Sequence, residues 1–347
     1  MKHILLAFGL TSTFFIGFAQ KNWSRREELI FNNAPFKECH ASSIVEISPK
    51  ELMVSFFAGS RESNKDVCIW LTRKIDDEWS EPYIIAEGII NDSTRFPCWN
   101  PVLFKSKIGR LYLFYKVGPN PRDWWGMVRT STDNGKTWTK AERLPERILG
   151  PIKNKPVQLT DGTILCPSSI ETENSWKVRM ETYLEASNVW KAVFVDSASS
   201  SKIIQPAILT HSDKKLQILC RSNQNKIVSA WSNDNGNSWG NFSVLHLPNP
   251  NSGIDAVTLK SNIQLLVYNP TIRGKDWFYN REKLNVALSR DGINWKDIAI
   301  LENGISGSTE EFSYPAVIQT NDGNVHITYT YNRKSIKHVT LAPPLQK

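Results

Sequence analysis

Apolar residues in this chain come in short runs with the two-residue period of a β-strand, punctuated by Gly, Asn, Asp and Ser; helical periodicity is scarce. One phrase recurs six times. Its copies begin at His40-Ala41-Ser42-Ser43-Ile44-Val45, Asn100-Pro101-Val102-Leu103, Lys155-Pro156-Val157-Gln158-Leu159, Gln205-Pro206-Ala207-Ile208-Leu209, Asp255-Ala256-Val257-Thr258-Leu259 and Tyr314-Pro315-Ala316-Val317-Ile318. Each copy is a polar residue, then Pro or Ala, then an apolar run. A turn follows, and then a second run such as Leu111-Tyr112-Leu113-Phe114-Tyr115 or Gln264-Leu265-Leu266-Val267-Tyr268. A recurrence every 50–60 residues, built of short strands, predicts an all-β fold, a β-propeller of six four-stranded antiparallel blades.

Polar turns mark the outer hairpins. Ser131-Thr132-Asp133-Asn134-Gly135-Lys136-Thr137-Trp138 and Ser232-Asn233-Asp234-Asn235-Gly236-Asn237-Ser238-Trp239 are full copies, and Ser289-Arg290-Asp291-Gly292-Ile293-Asn294-Trp295 is a shortened one. Asp and Ser side chains bond turn amides, Gly takes the positive φ, and Trp packs the turn onto the blade. Trp79 and Trp190 hold the same place in degenerate copies. The sixth blade runs out of chain after three strands, at about 314–319, 325–331 and 336–341. The segment Glu27-Glu28-Leu29-Ile30-Phe31 is placed to supply its fourth strand and close the ring, which removes two exposed sheet edges.

The first residues change the picture of where the chain works. Met1-Lys2-His3, an apolar run from Ile4 to Phe18 and the small-residue exit Gly17-Phe18-Ala19 read as a secretory signal over 1–19, leaving one propeller domain over 20–347 without a membrane span. The chain is expected to be exported, to the periplasm or beyond the cell. Its five Cys include Cys68, Cys166 and Cys220 inside apolar runs, where thiols serve as small hydrophobes; Cys39 and Cys98 each precede a repeated phrase. No Cys/His spacing suits a metal, no Gly-rich loop suits a phosphate, and no cofactor is expected. The net charge of +8 is not gathered into blocks, which speaks against nucleic acid and is compatible with an acidic glycan as partner.

In a propeller the leading ends of the innermost strands open on one face of a central channel. The repeat therefore gathers His40, Asn100, Lys155, Gln205, Asp255 and Tyr314 at one mouth, a varied polar set of the kind a polar ligand needs. The second strands end in Gly59-Ser60-Arg61, Tyr115-Lys116, Ser168-Ser169, Cys220-Arg221, Tyr268-Asn269 and Thr330-Tyr331, so Arg61, Lys116, Arg221 and Asn269 are expected on the same face, with Arg281 ahead of the third strand of blade five. Arg at such a mouth suits bidentate capture of a carboxylate. Trp99, Trp124, Trp125 and Trp277 are candidates for stacking on sugar rings, or for blade core.

The motif Ser-x-Asp-x-Gly-x-Thr-Trp is the Asp box, and with a six-blade period the chain resembles the sialidase (neuraminidase) superfamily from about Phe36 to Leu341. That resemblance implies an exo-acting glycosidase for an acidic sugar, with three Arg on the substrate carboxylate and a Tyr nucleophile assisted by carboxylates. Tyr314 in Phe312-Ser313-Tyr314-Pro315 resembles the nucleophile segment. Arg221 and Arg281 resemble the second and third Arg, and Arg61 an additional Arg on blade one. The first Arg has no counterpart within Glu38-Cys39-His40-Ala41-Ser42. Amides, Asn100 and Gln205, stand at two positions where the resemblance implies carboxylates, and an amide cannot give or take a proton at neutral pH.

Three classes of function fit these residues. A hydrolase uses Tyr314 or Asp255 as nucleophile or base, and Asp66, Glu62 or His40 as proton donor. A lyase uses Arg221 and Arg281 on a uronate and His40 with Tyr314 for proton transfer, with no catalytic carboxylate required. A glycan-binding propeller uses the same ring without turnover. Asn100, Lys116, Lys155, Gln205 and Asn269 are the expected substrate contacts beside the Arg residues.

Overall fold

The computed structural model describes residues 23–196, 200–211, 214–274 and 279–344. These residues form strands, turns and irregular connections with no α-helix among them, and the proposed signal segment and Trp277 lie outside them. No helix among the described residues is long and apolar enough to cross a membrane.

Among the described residues six antiparallel blade sheets follow one another along the chain, with a two-stranded ribbon, Ile89–Asn91 and Thr94–Arg95, between the first and second. Blade two is typical, with Cys98–Lys105 innermost, then Leu111–Val117, Trp125–Ser131 and Glu142–Arg143. Blade three starts from the short strand Val157–Gln158, followed by Ile164–Glu171, Trp176–Leu184 and Val189–Phe194. Blade four runs through Ile203–Thr210, Leu216–Ser222, Lys226–Ser232 and Ser243–Pro248, and blade five through Asp255–Thr258, Gln264–Tyr268, Lys283–Ser289 and Lys296–Asn303. Blade one departs from the plan: after Glu38–Ser48, Glu51–Gly59 and Cys68–Ile75, two short segments, Glu78–Trp79 and Tyr83–Ala86, both pair with the third strand. Blade six joins Phe312–Gln319, Val325–Tyr331 and Ser335–Ala342 to the N-terminal strand Ser24–Leu29, in register from Ser24↔Ala342 to Leu29↔Lys337. The closing strand thus begins three residues before the expected Glu27 and covers the edge left by the last strand of the chain.

There is no single central core. Apolar clusters fill the wedges between neighbouring blades: Ala41, Met53 and Phe57 of blade one pack on Leu103, Leu113 and Tyr115 of blade two, and Val267 and Val286 of blade five on Val317 and Ile327 of blade six. Hydrogen bonds stitch the first and second strands of neighbouring blades across the seams, as in Leu103 N to Ser43 Oγ (2.9 Å), Gln205 N to Ser169 Oγ (3.3 Å), Thr210 N to Thr258 Oγ1 (2.8 Å) and Ser42 Oγ to Thr328 Oγ1 (3.0 Å). The outer turns form as their sequence demands. In blade two Ser131 Oγ accepts from Gly135 N, Asp133 accepts from Thr137, and Trp138 Nε1 donates to Gly135 O at 3.2 Å. Gly135 holds φ 76°, and a Cβ there would lie 2.4 Å from Met53 Cε of blade one, so both backbone and packing require glycine.

All five cysteines are buried free thiols, including Cys39 and Cys98. Burial pushes each of these two thiols up, far from the reactive thiolate.

Candidate active site

The innermost strands of four blades carry a bulge at the mouth. Asn100 (φ 38°), Gln205 (φ 56°) and Tyr314 (φ 53°), each followed by Pro, all take a left-handed backbone there. In blade one the bulge residue is Ala41 (φ 55°), and ladder pairing resumes only at Ser43. His40 is therefore equivalent to Trp99, Ile204 and Ser313, one step from the position that the repeated phrase assigned it. An extra residue in a strand re-aims the side chains beside it, and letter-by-letter alignment does not register that. Blades three and five have no such bulge, so the ring comprises four bulged positions and two others.

The bulges bring Tyr314, Gln205 and His40 together with Arg221. Arg221 Nη1 donates to Tyr314 Oη at 2.7 Å and to Gln205 Oε1 at 3.2 Å. Its Nε donates to Asn251 Oδ1 at 2.8 Å, and its Nη2 to the Asn251 carbonyl, so the guanidinium is held in one orientation. The His40 ring lies 4.2 Å from that of Tyr314, and its Nδ1 is 2.9 Å from Thr330 Oγ1. Gly253 is needed beneath the phenol, since a Cβ there would meet Tyr314 Cγ at 3.1 Å. Tyr314 itself is half-buried, the most accessible of this group.

Cations surround the phenol. Arg221, Arg281 and Lys153 lie 5.7, 5.8 and 5.9 Å from its ring centroid. Arg281 is buried, and its Nη1 meets Glu311 Oε1 at 3.0 Å. Glu311 also binds Arg333 Nε at 2.6 Å, and Arg333 Nη1 continues to Glu62 at 2.5 Å. Burial alone would raise the Glu311 carboxyl, but its cationic neighbours, His40 when protonated and Arg281 and Arg333 always, hold it well below the usual carboxylate range. Burial, helped by Arg333, Arg281 and Lys153 and opposed by Glu311, drives the His40 imidazole well below its ordinary range, so the ring is neutral. Lys153 is pushed down to about 7 by burial and donates to Ile254 O, Asn154 Oδ1 and Pro315 O beneath the site.

A cleft of about 690 Å³ opens beside this centre, lined by Arg61, Glu62, Trp99, Glu311 and Arg333 among others. Trp99 packs edge-on against Trp124 at 6.0 Å and donates to Gly118 O, so it forms one wall and also belongs to the blade packing.

Several expected contacts are elsewhere or otherwise engaged. Lys116 is fully buried beneath the mouth and donates to Pro151 O; burial pushes it down to about 7. Asp255 is locked: its oxygens accept from Lys155 Nζ (3.1 and 2.9 Å), Ala256 N (2.9 Å) and Val317 N (2.8 Å). Three donors make four contacts to one carboxylate, which removes Asp255 as nucleophile or base and takes Lys155 with it. Asn269 is buried, with Nδ2 directed at the carbonyls of Lys283, Phe312 and Arg281, so it holds the Arg281 segment and does not meet solvent. Asp66 is exposed and accepts from Ser60 N and Oγ at 2.7 and 2.8 Å, capping its own loop. Asn100 is buried at the opening of blade two.

Glu311, Arg333, Lys153 and Asn251 went unread in the sequence. Arg333 stands in the turn after Tyr331, and its carbonyl accepts from Cys39 N at 2.9 Å. It thus occupies the neighbourhood of Cys39-His40, where the resemblance implied an Arg. The available signal was ring closure, which makes blade six the neighbour of blade one.

The model of the BNR repeat-like domain matches residues 50–327. The chain belongs to the BNR repeat-like domain family. No curated protein matches it. Among solved structures this BNR repeat-like chain is similar to a protein of unknown function from Dyadobacter fermentans, at 16% identity and a TM-score of 0.73, over 92% of this chain and 99% of that one. It is also similar to the Trypanosoma rangeli sialidase (16% identity, TM-score 0.71, 91% of this chain and 59% of that one) and to the intramolecular trans-sialidase from Ruminococcus gnavus (11%, 0.68, 92% and 98%). At these identities the likeness is one of fold, the six-bladed sialidase propeller.

Proposed function

We propose that the chain is an exported carbohydrate-active enzyme, a sialidase-like exo-glycoside hydrolase acting on a sugar that carries a carboxylate. The observation that carries this reading is the 2.7 Å hydrogen bond from Arg221 to Tyr314 Oη, at a half-buried phenol ringed by Arg221, Arg281 and Lys153. Tyr314 is the nucleophile. A guanidinium that donates into the phenolic oxygen stabilises the charge gathering on it, and a Tyr nucleophile is a known route for glycosides of acidic sugars. Arg221 and Arg281 supply the positive field for the substrate carboxylate. His40, neutral and against the Tyr314 ring, positions the phenol.

The same neutral His40 favours a second reading, β-elimination next to a uronate with His40 and Tyr314 exchanging the protons. One screen separates the two. Acidic oligosaccharides are incubated with the protein and followed both for new reducing ends and for near-ultraviolet absorbance. The hydrolase yields reducing ends without absorbance, the lyase yields the absorbance of a conjugated double bond, and binding with neither signal overturns both. Sequencing the N-terminus of the exported protein tests the leader; a chain still beginning at Met1 refutes its removal.

A further inference from the structure

The amides Asn100 and Gln205 and the locked Asp255 leave the proposed hydrolysis without an evident group to protonate a leaving oxygen. Glu171 is a carboxyl on the mouth face that this reading has not used. It is the last residue of Ile164–Glu171, two residues beyond Ser169, whose Oγ faces the backbone N of Gln205 at 3.3 Å. Side chains two apart on a strand share a face, so Glu171 looks toward the same seam, where Gln205 meets Arg221. It is half-buried and its carboxyl makes no hydrogen bond or ion pair among the described residues, which leaves it free to meet a ligand in the cleft it lines.

Its surroundings suit a proton donor. With Arg122, Trp176 and Lys202 it lines a cleft of about 380 Å³, and Pro121 belongs both to this cleft and to the larger one of Arg61, Trp99 and Arg333. Burial pushes the Glu171 carboxyl above the usual range, with Arg221 and Arg122 opposing; Glu173 and Lys202 are the other charges of the cleft. Arg221, bonded to Tyr314, is thus also one of the charges that act on the Glu171 carboxyl.

We propose that Glu171 gives the proton to the leaving oxygen, and that the cleft of Arg122, Trp176 and Lys202 receives the leaving-group sugar. This inference rests on the hydrolase reading above. As the glycosidic C–O bond breaks, its electron pair goes to the leaving oxygen, which takes the Glu171 proton. A bond forms between the sugar carbon and Tyr314 Oη, whose own proton passes to water in the mouth. Water then replaces Tyr314 at that carbon. One of its protons returns to Glu171, and Tyr314 regains a proton from mouth water.

The test compares wild type with Glu171→Gln on methyl and 4-nitrophenyl glycosides of N-acetylneuraminic acid and of glucuronic acid. Release of the methyl glycoside is expected to slow about 10³-fold. For the nitrophenyl glycoside, whose leaving group needs no proton, kcat/KM, which reports only the steps up to glycosidic bond breakage, is expected to change less than about tenfold, while kcat falls because Glu171 no longer takes a proton from the incoming water; the alkaline limb of the kcat/KM profile is expected to disappear. Equal loss of kcat/KM on both substrates, no loss, or an unchanged alkaline limb in an active enzyme overturns the role of Glu171 alone. Absence of release by the wild type, or equal rates for wild type and Tyr314→Phe, overturns the hydrolase reading. The placement of Glu171 is then decided by NMR titration of ¹³C-labelled Glu carboxyls, with the Glu171 signal identified by its loss in Glu171→Gln. Its midpoint is expected above the ordinary Glu range, and higher again in Arg221→Met; an ordinary midpoint, or no response to Arg221→Met, overturns the placement too.

Discussion

Replacing Asp255 by Ala separates a structural lock from a catalytic carboxylate. Asp255 is 2% exposed and accepts four hydrogen bonds that tie Lys155 of blade three and Val317 of blade six to blade five. The substitution takes the acceptor from two backbone N–H groups and leaves the Lys155 ammonium with the Ala256 carbonyl alone (2.9 Å). Removing one partner of a buried ion pair costs about 3–5 kcal/mol. With an unfolding entropy of ~2.1 cal/mol/K per residue, the midpoint of a chain this size falls by roughly 4–7 °C. Asp255→Asn keeps the shape and one acceptor, so its loss is expected to be about half as large. Scanning calorimetry gives the midpoints, and activity is read well below both of them. The expected result is a destabilised protein whose folded fraction turns over at close to the wild-type rate. A wild-type midpoint combined with lost turnover would refute the lock and restore Asp255 to the chemistry.

Tyr314→Phe is expected to lower kcat by roughly 10³-fold or more while leaving substrate affinity near wild type by calorimetry, since only the attacking oxygen is lost. Arg221→Met removes the charge-assisted contacts to Tyr314 and Gln205 and is expected to raise KM about 10–100-fold; an unchanged KM means that the anion binds elsewhere. Acid should loosen blade six where it faces blade one: His326 Nδ1 lies 2.9 Å from His338 Nε2, His338 Nδ1 lies 2.8 Å from Glu28, and Trp79 of blade one packs edge-on against His338. Burial, with His338 adjacent, pushes His326 from 6.5 to about 4, while Asp322 and Glu28 oppose and Lys74 adds to the shift. A folded value below the unfolded one means that the stabilisation is complete above about pH 6.5 and fades as pH falls toward 4, by about 3 kcal/mol; urea titrations across this range should show the loss, and His326→Gln should flatten it. Deleting residues 1–29 bares the edge of Ser335–Ala342 and is expected to cause aggregation by light scattering; a monomer with the wild-type midpoint contradicts ring closure.

Local chemistry made the architecture readable. The blades repeat the same run of short strands and turns, and in blades two, four and five a Trp-capped hairpin, which depends on neighbours within a few residues: Asp133 on Thr137, Gly135 on its φ, Trp138 on the Gly135 carbonyl. Six such units can bury their faces only against one another, so the number of blades and the need for a closing strand follow from the chain itself. Tyr314, Arg221 and Gln205 could be nominated on the same grounds, as strand-end residues of the repeat.

The mouth depended on relations that the repeat does not encode. The bulge at Ala41 moved His40 out of the position assigned by its neighbours, because one extra residue reverses which way a strand residue faces. Lys116 and Asp255 look from their spacing like ligand contacts, and only their partners, Pro151 O for one and Lys155 with Val317 N for the other, turn them into interior ties. Arg333 reaches the site because ring closure sets residue 333 against residue 39. The sequence alone determined the repeating unit, its local turns and the ring of blades, since short-range hydrogen bonding and strand periodicity specify these. Which polar side chains face a ligand and which hold the blades together was decided by the tertiary structure, since that depends on partners brought together from different blades.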